Sequence, residues 1–258
     1  MRYLLFQCYA PLVSWGEIAI GLERHSSRQP SKSAIIGLLA AALGIRRDDN
    51  QRMDALIKAV GFAIKMISGG TVLKDFHTAQ VPRSERKIVY HTRRDELNAP
   101  QEKTDTVLSR REYRCDALSV VAVWLNDNSF SIEKLFDALQ KPVFVLYLGR
   151  KSCPPAVRLN PEIVEADTIK EAFSKYKTVI PVPVKDTDRA KEIFEKYQNT
   201  TFSENYVVTY FWEDCKHSGF EETQKTTRYD MPLSRTRWQF IYREERMAVI
   251  REEVEGVF

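Results

Sequence analysis

Residues 2–9 are rich in aromatic and aliphatic side chains, the pattern of a short strand inside a sheet, and Ala10-Pro-Leu-Val-Ser-Trp-Gly16 ends it in a loop. From Ser33 apolar residues occupy every helical face until Gly44, predicting a helix packed on most sides and closed by that glycine. Residues 54–66 repeat apolar positions at helical spacing and give way to strand-like Thr71-Val-Leu, so a sheet with helices against one face is expected. The next segment, residues 75–114, breaks the pattern. It has few core-forming side chains and spreads His77, Arg83, Arg86, Lys87, His91, Arg93, Arg94, Arg110, Arg111 and Arg114 among prolines and polar residues, so it should project from the body.

Strand character returns at 116–125, an amphipathic helix capped by Ser131 is expected at 131–139, and another strand at 143–148. The order strand, helix, strand, long excursion, strand, helix, strand is that of a ferredoxin-like split βαβ sheet, giving an α+β fold. After Pro154-Pro155 the pattern loosens. Helices are expected at 168–176 and 186–197, a strand at 205–212, a strand pair at 229–242, and a solvated strand or frayed helix at 243–255. The chain divides on this reading into residues 1–160, with the insertion at 75–114, and a smaller β-rich C-terminal subdomain, 161–258.

Composition narrows the function classes. With 258 residues, 43% of them hydrophobic, the chain can bury a substantial core. Its 39 basic and 35 acidic side chains leave a net charge of only +4, so any polyanion site has to be local. Residues 34–43 are too short an apolar run to cross a bilayer, and the first residues lack the three-part layout of a cleavable signal; a cytoplasmic protein without a membrane partner is expected. Cys8, Cys115, Cys153 and Cys215 are dispersed without a CxxC pair, so no zinc ribbon, disulfide framework or other cofactor is expected, and Cys215-Lys-His217 has no second pair of ligands at suitable spacing.

Two short stretches carry the candidate chemistry. Gln29-Pro-Ser-Lys-Ser33 places a capping serine and a lysine at the start of the buried helix, where orphan N–H groups can seat an anion, and Arg24, Arg28 and Lys32 lie on the approach. It lacks the glycines of a nucleotide-cradling loop, which excludes an NTPase of that type. Simple capping by Ser31 or Ser33 explains the same residues and is compatible with anion binding. In Tyr147-Leu-Gly-Arg-Lys-Ser-Cys-Pro154, Gly149 permits close backbone approach, Arg150 and Lys151 supply one forked and one point-like cation, and Ser152 follows. No acidic residue lies between Lys141 and Asn160, so nothing local neutralises these charges or Arg158.

The excursion carries enough cations to follow a nucleic-acid backbone, although a solvated loop has a similar composition. Trp15 could stack a base, the alternative being a core tryptophan. Catalytic signals are sparse: the histidines at 25, 77, 91 and 217 have no evident nucleophile or orienting carboxylate, and no carboxylate cluster suggests a two-metal nuclease. Metal-free RNA cleavage needs only a base, an acid and a cation, which keeps His25, His77 and Lys151 under consideration.

Four blocks, in order, resemble the CasD-type subunits of the type I-E CRISPR surveillance complex, Cascade, which belong to the RAMP superfamily. They are Tyr9-Ala-Pro-Leu-Val-Ser-Trp-Gly16; Pro30-Ser-Lys-Ser-Ala-Ile-Ile-Gly-Leu-Leu39 with Leu43-Gly-Ile-Arg-Arg-Asp-Asp49; Arg111-Glu-Tyr-Arg-Cys-Asp116; and the Tyr147 to Pro154 stretch. The likeness covers most of residues 1–160 and fades beyond Pro161, apart from Asp230-Met-Pro-Leu-Ser-Arg235. It implies an RRM-like palm, a β-hairpin thumb made by the excursion, and a small C-terminal β region. It further implies a subunit that holds the 5′ handle of the CRISPR RNA, caps the filament of backbone subunits, adjoins the large subunit and meets target DNA only indirectly. RNA-binding candidates are then Trp15, Arg24, Arg28, Lys32, Ser33, His77, Arg83, Arg93, Arg110, Arg111, Arg114, Gly149, Arg150, Lys151 and Ser152, with no catalytic residue. A related type I-C subunit cuts its own repeat RNA with Tyr, Lys and His side chains, so a metal-independent endoribonuclease is the alternative; that triad has no clear match here.

Overall fold

The computed structural model describes residues 1–19, 21–84, 88–178, 205–213, 215, 217–221, 224–234, 237 and 239–253. Arg86, Lys87 and Arg235, the helix expected at 186–197 and the last residues of the 243–255 segment lie outside them. The fold is α+β and dominated by its sheet. In chain order the strands are β1 (Arg2–Val13), β2 (Trp15–Gly16), β3 (Glu23–Arg24), β4 (Ser26–Ser27), β5 (Val60–Ser68), β6 (Thr71–Pro82), β7 (Thr104–Leu125), β8 (Glu162–Glu165), β9 (Asn205–Glu213), β10 (Gln224–Ser234) and β11 (Gln239–Glu253). The helices are α1 (Lys32–Ala42), α2 (Asn50–Ala59), α3 (Arg93–Leu97), α4 (Ile132–Gln140) and α5 (Ile169–Lys175).

The main sheet runs β10-β11-β9-β5-β7-β1-β8, with β3 and β6 also paired to β7, while β2 and β4 form a separate ribbon. Its pairings are antiparallel except for β3 beside β7. The expected strands near 205 and in the 229–242 region are present, and β9 pairs with β5, so that they extend the sheet of the N-terminal strands. Residues 243–253 belong to β11, the strand of the two expected alternatives; Glu244, Val249 and Arg251 are exposed as expected, whereas the side chains of Arg243 and Glu245 are buried between β10 and β9.

Both faces of the sheet are covered, which corrects the expectation of helices on one side. Leu4, Phe6 and Cys8 of β1 pack with α1, α2 and α4, whereas Tyr3 and Leu5 point to the opposite face with Trp124, Ala172 and Phe173. Two-sided burial is why β1 reads as a near-continuous apolar run, interrupted by buried Gln7, rather than an alternating one. It also explains β5: Val60 to Ile67 are buried without interruption, so the apolar repeat in residues 54–66 is helix only to Ala59 and strand beyond. β1 continues through Pro11, which takes no cross-strand partner in the register and so loses no ladder hydrogen bond.

Helix α1 is bounded as the sequence predicts. The Ser31 side chain accepts from the Ala34 N–H, Gly44 sits at φ +69°, and the amides of Gly44 and Ile45 donate to Ala41 and Ala40 carbonyls, a Schellman closure. Residues 143–148 are not a strand. The Val143 and Phe144 amides donate instead to the Ala42 and Ala41 carbonyls of the last turn of α1, at 3.0 and 3.1 Å. Alternation holds only over 145–148, with Leu146 and Leu148 buried and Val145 and Tyr147 exposed; Val143 and Phe144 are both exposed, and the segment is braced by a helix end. The strand that borders β1 on this side is β8.

The excursion is a long antiparallel ribbon. β6 and the first half of β7 pair from Thr71 opposite Cys115 to Pro82 opposite Thr104, and nearly every residue on β6 is exposed. β7 is thus one strand of 22 residues, half ribbon and half sheet. Its partner changes from β6 to β5 around Asp116, a non-glycine residue with φ +55° whose carbonyl accepts from the Ser68 hydroxyl at 3.1 Å.

Candidate nucleic-acid interface

The base of the ribbon gathers residues from four separate parts of the sequence. Val13 at the end of β1 lies opposite Arg114, and the Ser14 hydroxyl donates to the Glu112 carbonyl at 3.3 Å. The short strand β3 places Arg24 beside Arg111. The Ser14 amide donates to the Leu148 carbonyl at 3.1 Å, fastening the glycine loop to the same place. Gly149 has φ +93°, and a Cβ there would lie 1.7 Å from the Ser14 carbonyl oxygen. The glycine therefore serves an approach of backbone to backbone, which aims Arg150 across the ribbon. The Arg150 guanidinium lies over the Tyr113 ring, 4.8 Å from its centroid.

The charges at this place are unevenly balanced. Arg24, Arg111, Arg150 and Lys151 make no ion pair among the described residues, Arg28 lies beside Gly69 at the turn between β5 and β6, and Arg114 spends its guanidinium on the Ser26 carbonyl at 3.2 and 3.3 Å. The nearby carboxylates are engaged elsewhere: Glu23 meets Arg110 at 3.0 Å and His25 at 3.4 Å, and Glu112 meets His25 at 3.3 Å and Lys74 at 3.7 Å. Burial alone would raise the Glu112 carboxyl, but the Ser26 amide and His25 outweigh it and hold it below the usual range. Such an arrangement can hold an oxyanion-rich strand through forked and point-like donors.

Other candidates are placed differently. Lys32 is buried, its ammonium 2.8 Å from Glu213, and its backbone N–H donates to Asp230 at 2.8 Å. The anion at the start of α1 is thus the protein's own aspartate, and Lys32 is not a phosphate ligand. Trp15 is 2% exposed within the core, so its ring stacks no base. Along the ribbon His77 pairs with Asp75, Arg83 with Asp105 at 2.8 Å, and Arg93 with Glu96 and the Gln80 carbonyl; each of these side chains already has a carboxylate partner. Ser33 is half-buried with its hydroxyl 3.1 Å from that of Ser31, and it shares with Gly149 a groove of about 1120 Å³ lined also by Gly37, Arg46, Phe144 and Tyr147. Lys151 and Ser152 are exposed. Sequence reasoning missed Ser14 and Tyr113 as parts of the site. Both fall inside the resembling blocks, where their spacing from Gly149 and Arg150 in sequence gave no hint of contact.

The family model for CRISPR-associated protein (Cas_Cas5) matches residues 3–246. The chain is 32% identical over 187 residues to the CRISPR system Cascade subunit CasD of Escherichia coli (strain K12), covering 69% of this chain and 78% of that one. A chain of a structure described as a CRISPR RNA-guided surveillance complex superposes with a TM-score of 0.62 at 25% identity, covering 98% of this chain and 90% of the other. A crystal structure of a Cas protein shares the fold with a TM-score of 0.60 at 23% identity, covering 96% and 95%. The chain belongs to the CRISPR-associated Cas5 family.

Proposed function

We propose that this protein is the CasD-type subunit of a Cascade surveillance complex, a non-catalytic subunit that grips the 5′ handle of the CRISPR RNA and caps the filament of backbone subunits. On this reading it adjoins the large subunit and meets target DNA only through the assembly. The observation that carries it is the set of cations at the ribbon base, Arg24, Arg111, Arg150 and Lys151, which come from three sequence segments and have no carboxylate partners among the described residues. Unpaired surface arginines at one place favour a polyanion. The antiparallel order β8-β1-β7-β5, with α1 and α2 between β1 and β5 and α4 between β7 and β8, supports reading this part as a ferredoxin-like palm carrying the ribbon as its thumb.

Binding is expected to be positional and salt-sensitive, with log K falling by roughly 0.7 per neutralised phosphate for a single strand against log salt. The test uses a single-stranded RNA carrying the repeat-derived handle, incubated with the full chain in EDTA. Tight, salt-dependent binding without cleavage is expected, and the Arg150→Ala/Lys151→Ala variant should bind more weakly with a shallower slope. Defined cleavage abolished by His25→Ala or His77→Ala would establish the metal-independent endoribonuclease instead. Binding that neither salt nor the double substitution alters would refute the site.

A further inference from the structure

We infer that Tyr113 is a positioning residue for Arg150, its ring face fixing the guanidinium that takes a phosphate of the bound RNA; this rests on the RNA-holding reading above. Tyr113 is only 8% exposed, opposite Leu73 in the ribbon register, so its ring is a fixed wall. Arg150 is brought to that wall by a loop with little latitude, since the left-handed Gly149 is seated against Ser14. Stacking engages the face of the guanidinium and leaves its N–H fork in the plane unused. That fork is under-satisfied. Nη1 is buried without an acceptor, and Nη2 reaches only the Arg24 carbonyl at 3.5 Å, the limit of a hydrogen bond. The weakly held Nη2 is the donor left to an arriving phosphate oxygen, and a small shift of the fork toward that oxygen would also relieve the cost of leaving Nη1 desolvated without an acceptor. A ring that merely glued the loop to the ribbon would need no such open fork.

The experiment measures affinity and salt slope of the full chain for the handle RNA, with thermal melting as a folding control. Arg150→Ala should weaken binding and lower the slope by about 0.7, one phosphate contact. Tyr113→Leu keeps every charge, yet should weaken binding about 2- to 30-fold, the range of a cation–π contact from exposed to desolvated. Tyr113→Phe should restore wild-type behaviour. The Arg150→Ala/Tyr113→Leu double variant should bind no more weakly than Arg150→Ala alone. Arg150→Lys should also bind more weakly than wild type because it keeps the charge and loses fork and stack.

If Arg150→Ala binds as wild type does, the loop is not an RNA site and the parent reading fails with the inference. If Arg150→Ala weakens binding while Arg150→Lys and Tyr113→Leu match wild type, or if the two single effects add, the parent reading stands and the positioning role is overturned. Should Tyr113→Leu not fold, Arg150→Lys decides alone.

Discussion

Replacing Asp230 with alanine tests how the C-terminal strands are held to α1. The Asp230 carboxylate accepts from Arg243 at 2.6 and 2.9 Å and from the Lys32 backbone N–H at 2.8 Å. Around it Arg243 meets Glu245 at 2.7 Å, Arg228 lies 3.6 Å from Glu245, and Lys32 meets Glu213 at 2.8 Å. The side chains of Arg243, Asp230 and Glu245 are 7%, 8% and 2% exposed, so water does little to screen them. Three cations and three carboxylates balance in this network. Removing one carboxylate leaves an uncompensated buried positive charge and an unanswered N–H at the helix start, and breaking a buried pair in this way costs about 3–5 kcal/mol. At roughly 2–4 °C per kcal/mol for a chain of this size, the melting temperature should fall by about 6–20 °C. Thermal unfolding followed by circular dichroism, with a urea midpoint as a second measure, checks it. A loss below about 1 kcal/mol would refute the argument. The pH dependence adds an independent reading. Burial alone would raise the Asp230 carboxyl, but Arg243, then Arg228 and the Lys32 amide, outweigh it and hold it below its usual 3.8. A lowered folded value means the stabilisation is present above the unfolded value and is lost as pH falls through the folded one. The gap between wild type and variant should therefore persist near neutrality and close only below about pH 4.

Two further outcomes are expected. Gly149→Ala has no room for its Cβ beside Ser14 and adopts φ +93° at a cost of at least about 1–2 kcal/mol, so the loop should be displaced and RNA affinity should drop as far as in Arg150→Ala; wild-type binding would show that the seat does not aim Arg150. Trp15→Ala should lose about 3–5 kcal/mol in melting experiments as a core truncation, and an unchanged melting temperature with loss of RNA binding would return Trp15 to a base-stacking role.

The sequence made local features legible and left long-range partners hidden. Helix limits set by Ser31, Gly44 and Ser131 could be read because caps depend on neighbours within four residues. The protruding segment was visible because a stretch without core residues has to lie outside. The boundary at Ala59 was blurred, since a strand buried on both faces and a buried helix present the same apolar run. The residues 143–148 were misread because alternation reports which side chains point inward and not what the backbone is bonded to. The Lys32 error has the same origin: Ser31-Lys-Ser looks like an anion seat, and the anion that fills it, Asp230, lies 198 residues away. For the glycine loop the sequence neighbourhood and the structure agree on one point: Arg150 and Lys151 have no acidic neighbours in sequence and make no ion pair among the described residues.

The position of Asp116 limits how the ribbon can move. With β7 continuous from ribbon to sheet, the projecting ribbon is a cantilever whose angle is set where its two strands enter the sheet, at left-handed Asp116 clamped by Ser68 and at left-handed Gly70 seated against the Cys115 carbonyl. A load applied at the tip must be carried as torsion into the middle of the sheet, so neighbours in an assembly would find a stiff spacer of fixed bearing rather than a swinging arm.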